Sequence, residues 1–197
     1  PRPEWTAWRE ALRSRDGVRD AEITEQAGIE APGGLNPLRV CRALEATLAD
    51  DSVIVADGGD FVSTASYVLR PRRPLSWLDP GPFGTLGVGA GFALGAKLVR
   101  PTADVWIVYG DGSFGLHALE FEALIRQKLP VIAVIGNDAA WMQIRRGQLM
   151  LYGPERAPAT ALAYTRYEKV VEAVGGNGFY VETTAELGPA LDAAFAS

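Results

Sequence analysis

The sequence predicts an α/β fold, a three-layer sandwich around a central, mainly parallel sheet, and three observations carry that prediction. First, residues 53–56 (VIVA), 105–109 (VWIVY) and 131–135 (VIAVI) are short, continuous apolar runs, each followed by glycine with an acidic or amide residue. Strands apolar on both faces belong in a sheet covered on both sides. Second, segments with helical apolar spacing alternate with these runs, the grammar of parallel strand–helix–strand units. Third, the chain has 197 residues, 48% of them hydrophobic, enough for one domain with a sizeable core.

The elements follow in order. Residues 1–34 are charged and end in Glu30-Ala31-Pro32-Gly33-Gly34, a helix-breaking cluster, so they read as a lead-in segment or interdomain linker before a body spanning 35–197. The opening Pro1-Arg2-Pro3-Glu4, without an initiator Met, reads as a cut. Asn36 caps a helix with Pro37 in its first turn, and Leu38, Cys41, Leu44 and Leu48 recur at helical spacing through Ala49. The strand over 53–56 runs into the tight loop Asp57-Gly58-Gly59-Asp60, where Asp57 and Asp60 are read as either solvated loop residues or part of a site. A helix is expected over 116–127, between the second and third strands. A further helix follows Asn137, beginning near Ala140. A helix over 167–174, a short strand over 178–182 and a helix over 184–195 close the chain, which ends where one more strand is expected.

Composition excludes several functions. Nineteen Lys plus Arg against 24 Asp plus Glu leave a net charge of −5, with no broad basic face for a nucleic acid. The single cysteine, Cys41, allows no intrachain disulfide or cysteine-rich metal site and reads as a buried apolar side chain. No signal peptide is visible, and with one cysteine this points to the cytoplasm. The longest uncharged run, 80–96, is too short for a membrane span and holds six glycines. The glycine-dense stretch 81–91 does not match the dinucleotide fingerprint, because positions 92 and 94 are Phe and Leu.

Chemistry concentrates at Asp111 and Asn137. They lie 26 residues apart, the length of one crossover between parallel strands, so both emerge at the same edge of the sheet. Ligands bind at that carboxyl edge, and Gly110 and Gly112 let a phosphate approach the backbone N–H groups beside Asp111. A carboxylate and an amide oxygen suit Mg²⁺, which completes its octahedron with phosphate and water. Taken alone, Gly110-Asp111-Gly112 is equally a strand-to-helix turn with Asp as its cap.

The run Gly110-Asp111-Gly112-Ser113-Phe114, then Glu120-Phe121, Leu129-Pro130-Val131 and Asn137, resembles the thiamine diphosphate motif of the acetohydroxyacid synthase and 2-hydroxyacyl-CoA lyase superfamily. From Asn36 onward the chain resembles that family's C-terminal, pyrophosphate-binding domain, with the thiamine diphosphate-binding fold. The resemblance implies that Asp111, Asn137 and the backbone carbonyl of Ala139 hold Mg²⁺, and that Gly110, Gly112 and Ser113 hold the diphosphate. Asp60 and Phe61 stand where acetohydroxyacid synthases carry a Gln-His pair, so the backbone of Gly58 and Gly59 takes over the nearby contacts. In that family a bulky aliphatic residue 25 positions before the motif Asp wedges the cofactor into a bent form; here it is Leu86. Gly84 would accept from the pyrimidine amine through its carbonyl.

The run Gly-Asn-Asp-Ala-x-Trp-x-Gln-Ile from Gly136, together with Leu78-Asp79-Pro80-Gly81 and Phe83-Gly84-Thr85-Leu86, resembles the acetolactate synthase-like proteins assigned as 2-hydroxyacyl-CoA lyases. Trp141 and Met142 are then candidate substrate contacts. Acetohydroxyacid synthases carry a Trp nine residues after the metal Asn, where this chain has Arg146, a departure from branched-chain synthesis. His117 reads as a surface or core residue, and Glu120 as lying behind the diphosphate. The implied function is carbon–carbon bond lysis or ligation of a 2-hydroxyacyl-CoA or 2-keto acid, dependent on thiamine diphosphate and Mg²⁺. The implied partners are a small acyl substrate, a pyrimidine-binding domain with an activating Glu, and further copies in a homodimer or homotetramer. The alternatives are a Rossmann-like nucleotide-binding domain and a catalytically silent scaffold of the same fold.

Overall fold

The computed structural model describes residues 4–197; Pro1, Arg2 and Pro3, the start of the expected lead-in segment, lie outside the described residues. The rest of that segment is mostly helical, as α1 spans Thr6–Ala27. Its last turn is seated on the body, with Ile23 and Ala27 buried and Ile23 packed among Val40, Cys41 and Leu44. Asn36 joins the two parts. Its Nδ2 donates to the carbonyls of Gln26 and Ile29 at the end of α1, and its Oδ1 accepts from Leu38 N–H at 2.9 Å, capping α2 (Pro37–Thr47).

The sheet has four strands, β1 (Val53–Asp57), β2 (Trp77–Leu78), β3 (Val105–Gly110) and β4 (Ile132–Gly136). All pair in parallel in the order β2-β1-β3-β4. Every residue of β1 and β3 is buried, as expected of strands covered on both faces. Their side chains alternate between two cores. Ile54, Trp106 and Val108 pack with Cys41 and Leu44 of α2, Ala65 of α3 (Asp60–Val68) and Leu187 and Leu191 of α9 (Thr184–Phe195). Val53, Val55, Val105 and Ile107 pack on the other face with Ala90 and Ala93 of α4 (Gly89–Val99) and with Phe114, Phe121 and Leu124. The three-layer α/β arrangement expected from the sequence is therefore present.

Two expected elements differ. The single helix over 116–127 is instead α5 (Asp111–His117), a 3-10 turn Ala118–Glu120 and α6 (Phe121–Arg126). Helix begins directly at Asp111, and His117 leaves helical geometry with φ −139°, which breaks the run. The strand over 178–182 does not form. Gly178 lies against the backbone of Glu168 in α8 (Tyr167–Ala173), where a Cβ would come within 2.4 Å of the Glu168 carbonyl, and the segment forms no ladder with β4. The remaining helix, α7 (Met142–Tyr152), starts two residues later than Ala140. The helix expected from Thr184 is α9, opened by a capping box between Thr183 and Glu186. No helix among the described residues is long and apolar enough to cross a membrane.

Candidate functional site

Strand register decides where the acidic and amide residues fall. Gly110 of β3 pairs with Gly136 of β4, so Asp111 and Asn137 leave the sheet as neighbours, each one step beyond a paired glycine. Asp57 of β1 pairs with Tyr109, which brings the Gly58-Gly59 turn to the same edge. Gly58 and Gly59 have φ of +57° and +105°, and the turn abuts β3: Gly110 N–H donates to the Gly58 carbonyl at 3.1 Å. Leu86 joins this cluster from a distant loop, since a Cβ on Gly58 would meet Leu86 Cδ2 at 1.9 Å. Gly84, with φ +59°, ends the 3-10 turn Gly81–Phe83 at the exposed end of that loop.

Asp111 is 2% exposed. Its Oδ1 accepts from Gly112 N–H at 2.9 Å and its Oδ2 from Ala140 N–H at 3.1 Å. Among the described residues no cation pairs with it. Burial pushes the carboxyl of Asp111 above its ordinary range, and the amides of Gly112 and Ala140 offset only part of that effect. Its neighbour Asp138 is pushed up to about 6 by burial and by the charges of Asp111 and Asp60.

Asn137 is held at both ends. Its Nδ2 donates to the Thr165 carbonyl at 3.0 Å, and its Oδ1 accepts from Ala139 N–H at 3.3 Å. Ala139 has φ +54°, a left-handed kink that turns the chain over Asp111, and its carbonyl accepts from Leu162 N–H at 2.7 Å. Ser113 Oγ is committed within the fold, donating toward the carbonyls of Asp57 and Gly110. Its side chain therefore braces the turn.

Trp141 lies across Gly112, where a Cβ would approach its ring to 2.4 Å, so only glycine fits beneath it. Met142, partly buried, begins α7. Phe61 covers Gly136 in the same way, at 2.3 Å from an added Cβ. Asp60, at the start of α3, meets Arg146 of α7 through a 2.8 Å ion pair that links the two helices beside the turn. His117 is exposed, with its Nδ1 close to Gly87, and Glu120 is exposed in the 3-10 turn beyond α5.

The arrangement meets the needs of a magnesium-bridged diphosphate on chemical grounds. A buried carboxylate without a cation adjoins an amide oxygen, and the half-buried Gly58-Gly59 turn from β1 lies at the same edge beside the buried Gly110 and Gly112 of the β3 turn. No group of three or more His, Cys, Asp or Glu fit to hold a metal occurs among the described residues. A site with one carboxylate and one amide agrees with a metal whose remaining ligands come from the phosphate and water.

Two residues take places that the sequence left open or did not foresee. Asp57 is fully buried, so the solvated-loop reading of this residue is corrected: its carboxylate is hydrogen-bonded to the loop that carries Leu86. The available signal was an acid ending an otherwise apolar strand. Arg146, in the sequence a departure from the synthase pattern, pairs with Asp60 only through the placement of α3 and α7.

Residues 57–197 match the family described as "Thiamine pyrophosphate enzyme, C-terminal TPP binding domain". The 2-hydroxyacyl-CoA lyase 2 of Bos taurus is 52% identical over 171 residues, 87% of this chain and 27% of that protein. The 2-hydroxyacyl-CoA lyase 2 of Homo sapiens is 50% identical over 171 residues, again 87% and 27%. The acetolactate synthase large subunit IlvG of Mycobacterium tuberculosis is 42% identical over 191 residues, 96% of this chain and 34% of that protein. The chain thus spans about a quarter to a third of the length of the relatives it matches. With the family match covering most of the chain and the glycine-flanked Asp111 and Asn137 side by side at the sheet edge, the chain belongs to the thiamine pyrophosphate enzymes through their C-terminal TPP-binding domain.

Proposed function

We propose that this domain serves a carbon–carbon lyase or ligase that depends on thiamine diphosphate and Mg²⁺, with a 2-hydroxyacyl-CoA as the favoured substrate and a 2-keto acid as the second choice. The observation that carries the reading is the paired exit of Asp111 and Asn137, with the Asp111 carboxylate buried and free of any cation among the described residues. Asp111, Asn137 and the carbonyl of Ala139 would hold Mg²⁺, and the backbone of Gly58, Gly59, Gly112 and Ser113 would receive the diphosphate. Bound thiamine diphosphate supplies a thiazolium carbon able to add to a carbonyl and accept the electrons of the broken carbon–carbon bond. Leu86 would hold the cofactor's bend, the Gly84 carbonyl would accept from its pyrimidine amine, and Trp141 and Met142 would border the acyl group. The lyase preference is supported by relatives of that name at 52% identity against 42% for the synthase, and by Arg146 in place of the synthase Trp.

Calorimetric titration of the full-length protein with thiamine diphosphate, with and without Mg²⁺, tests the reading. Magnesium-dependent binding that is lost in Asp111→Ala and in Asn137→Ala supports it. Unchanged affinity in both variants defeats the metal assignment, retention of NAD or ATP favours a nucleotide site, and no binding at all favours a silent scaffold. A second expectation concerns the domain by itself. The activating Glu would come from a pyrimidine-binding domain, within a homodimer or homotetramer. The isolated chain should release no aldehyde from 2-hydroxyacyl-CoA and make no acetolactate from pyruvate; turnover in either assay contradicts this.

A further inference from the structure

Asp57 ends β1 with a side chain that is 0% exposed and without an ion-pair partner among the described residues. Its Oδ1 accepts from Gly87 N–H at 2.8 Å and its Oδ2 from Gly89 N–H at 2.6 Å. Both donors lie just beyond Leu86 in the sequence. We propose that Asp57 is a positioning residue whose carboxylate clamps the 84–89 loop to the end of β1 and so sets Leu86 above the Gly58 turn. The inference rests on the reading of Leu86 given under Proposed function.

The clamp has a fixed base. The Asp57 carbonyl accepts from Ser113 Oγ, and the Gly58 carbonyl accepts from Gly110 N–H at 3.1 Å, so the turn is bound to β3 and α5. Leu86 rests directly on it, with Cδ2 in the space a Gly58 side chain would take. Beside the clamp the loop is held by packing, with Gly87 against His117 and Gly89 against the Tyr109 ring. Residues 81–85 are exposed, Gly84 and Gly87 have φ of +59° and +82°, and the two bonds to Asp57 are the only side-chain hydrogen bonds to residues 84–89 among the described residues. Two amides meeting two oxygens of one side chain require acceptors on both atoms, which a carboxylate offers and an amide side chain does not.

The test uses the full-length protein. Asp57→Asn is nearly isosteric but sets an NH₂ donor against one of the two N–H groups. Hydrogen–deuterium exchange of peptides spanning 84–89 should quicken about 10-fold, the size expected for a lost charge-assisted hydrogen bond, while peptides from β3 stay unchanged. With thiamine diphosphate and Mg²⁺ bound, proton exchange at the thiazolium carbon should slow about 10-fold, while the calorimetric dissociation constant moves less than about 3-fold, because the diphosphate contacts remain. Unchanged exchange of the loop, or unchanged exchange at the thiazolium carbon, overturns the proposal. Should the variant not fold, wild-type exchange decides: Gly87 and Gly89 amides as protected as those of β3 support the clamp, and amides as fast as those of 81–85 overturn it. Leu86→Ala is run beside it. If only that variant leaves thiazolium exchange unchanged, the wedge reading fails, while loop protection still judges the clamp.

Discussion

The carboxylates of this domain divide between two regions that satisfy them in opposite ways. At the periphery, where α1, α2 and the loop after α3 meet, acids face arginines: Glu45 pairs with Arg72 at 2.6 Å and also accepts from Arg70 N–H, Asp20 pairs with Arg70 at 2.8 Å, and Glu30 with Arg39 at 2.9 Å. At the carboxyl edge of the sheet, Asp57 and Asp111 are buried and meet only backbone N–H groups. Amides supply hydrogen bonds but cancel no charge, so burial raises both carboxyls above their ordinary range. Asp60, paired with Arg146, is the one acid of the edge in an ion pair among the described residues. The peripheral acids are complete within the chain. The edge holds two buried carboxylates, Asp57 and Asp111, that no cation among the described residues balances.

The most severe way to break this contrast is to remove the side-chain oxygens proposed to hold Mg²⁺. Asp111→Ala or Asn137→Ala should weaken magnesium-supported binding of thiamine diphosphate by about 100-fold or more, measured by calorimetry, since a small cation has few protein ligands to lose. An equal loss of affinity in Glu45→Ala would mean that the two regions do not differ in kind.

The edge also depends on close packing around its glycines. Gly112→Ala should destabilise the domain by about 1–3 kcal/mol in urea unfolding, because its Cβ would meet the Trp141 ring at 2.4 Å. Most of that loss should return in a Trp141→Leu background; no recovery would show that the backbone of the turn, and not the ring, rejects the side chain.

The smallest effect belongs to the peripheral pairs. Glu45→Gln should cost about 0.5–1 kcal/mol at low salt and less at high salt, because the pair it breaks with Arg72 is only partly buried. Thermal unfolding in a salt series measures it. A larger, salt-independent loss would place Glu45 with the buried acids of the edge.

Much of the fold was legible because its signals are local. The apolar runs of β1, β3 and β4, the Asn36 cap and the helix over 184–195 each depend on neighbours within a few residues, where propensity and turn chemistry act. The 26-residue spacing of Asp111 and Asn137 was equally informative, since parallel strands joined by one crossover return to the same edge and the two glycines then pair in register. Local signals failed where distant contacts overrode them. The segment 178–182 has a strand-like pattern, but Gly178 settles against α8; the helix over 116–127 breaks at His117, which lies against Gly87.

The sequence by itself therefore determined β1, β3 and β4, the helix caps and the shared exit of Asp111 and Asn137, because periodicity, caps and crossover length are written residue by residue. Only the tertiary structure decided that Asp57 is a buried clamp on amides 30 and 32 residues away, that Gly112 lies beneath Trp141, and that Asp60 faces Arg146. The physical reason is that the state of a buried charge, or the space beside a glycine, is set by whichever atoms the packed core brings within about 4 Å, and no local pattern encodes those partners.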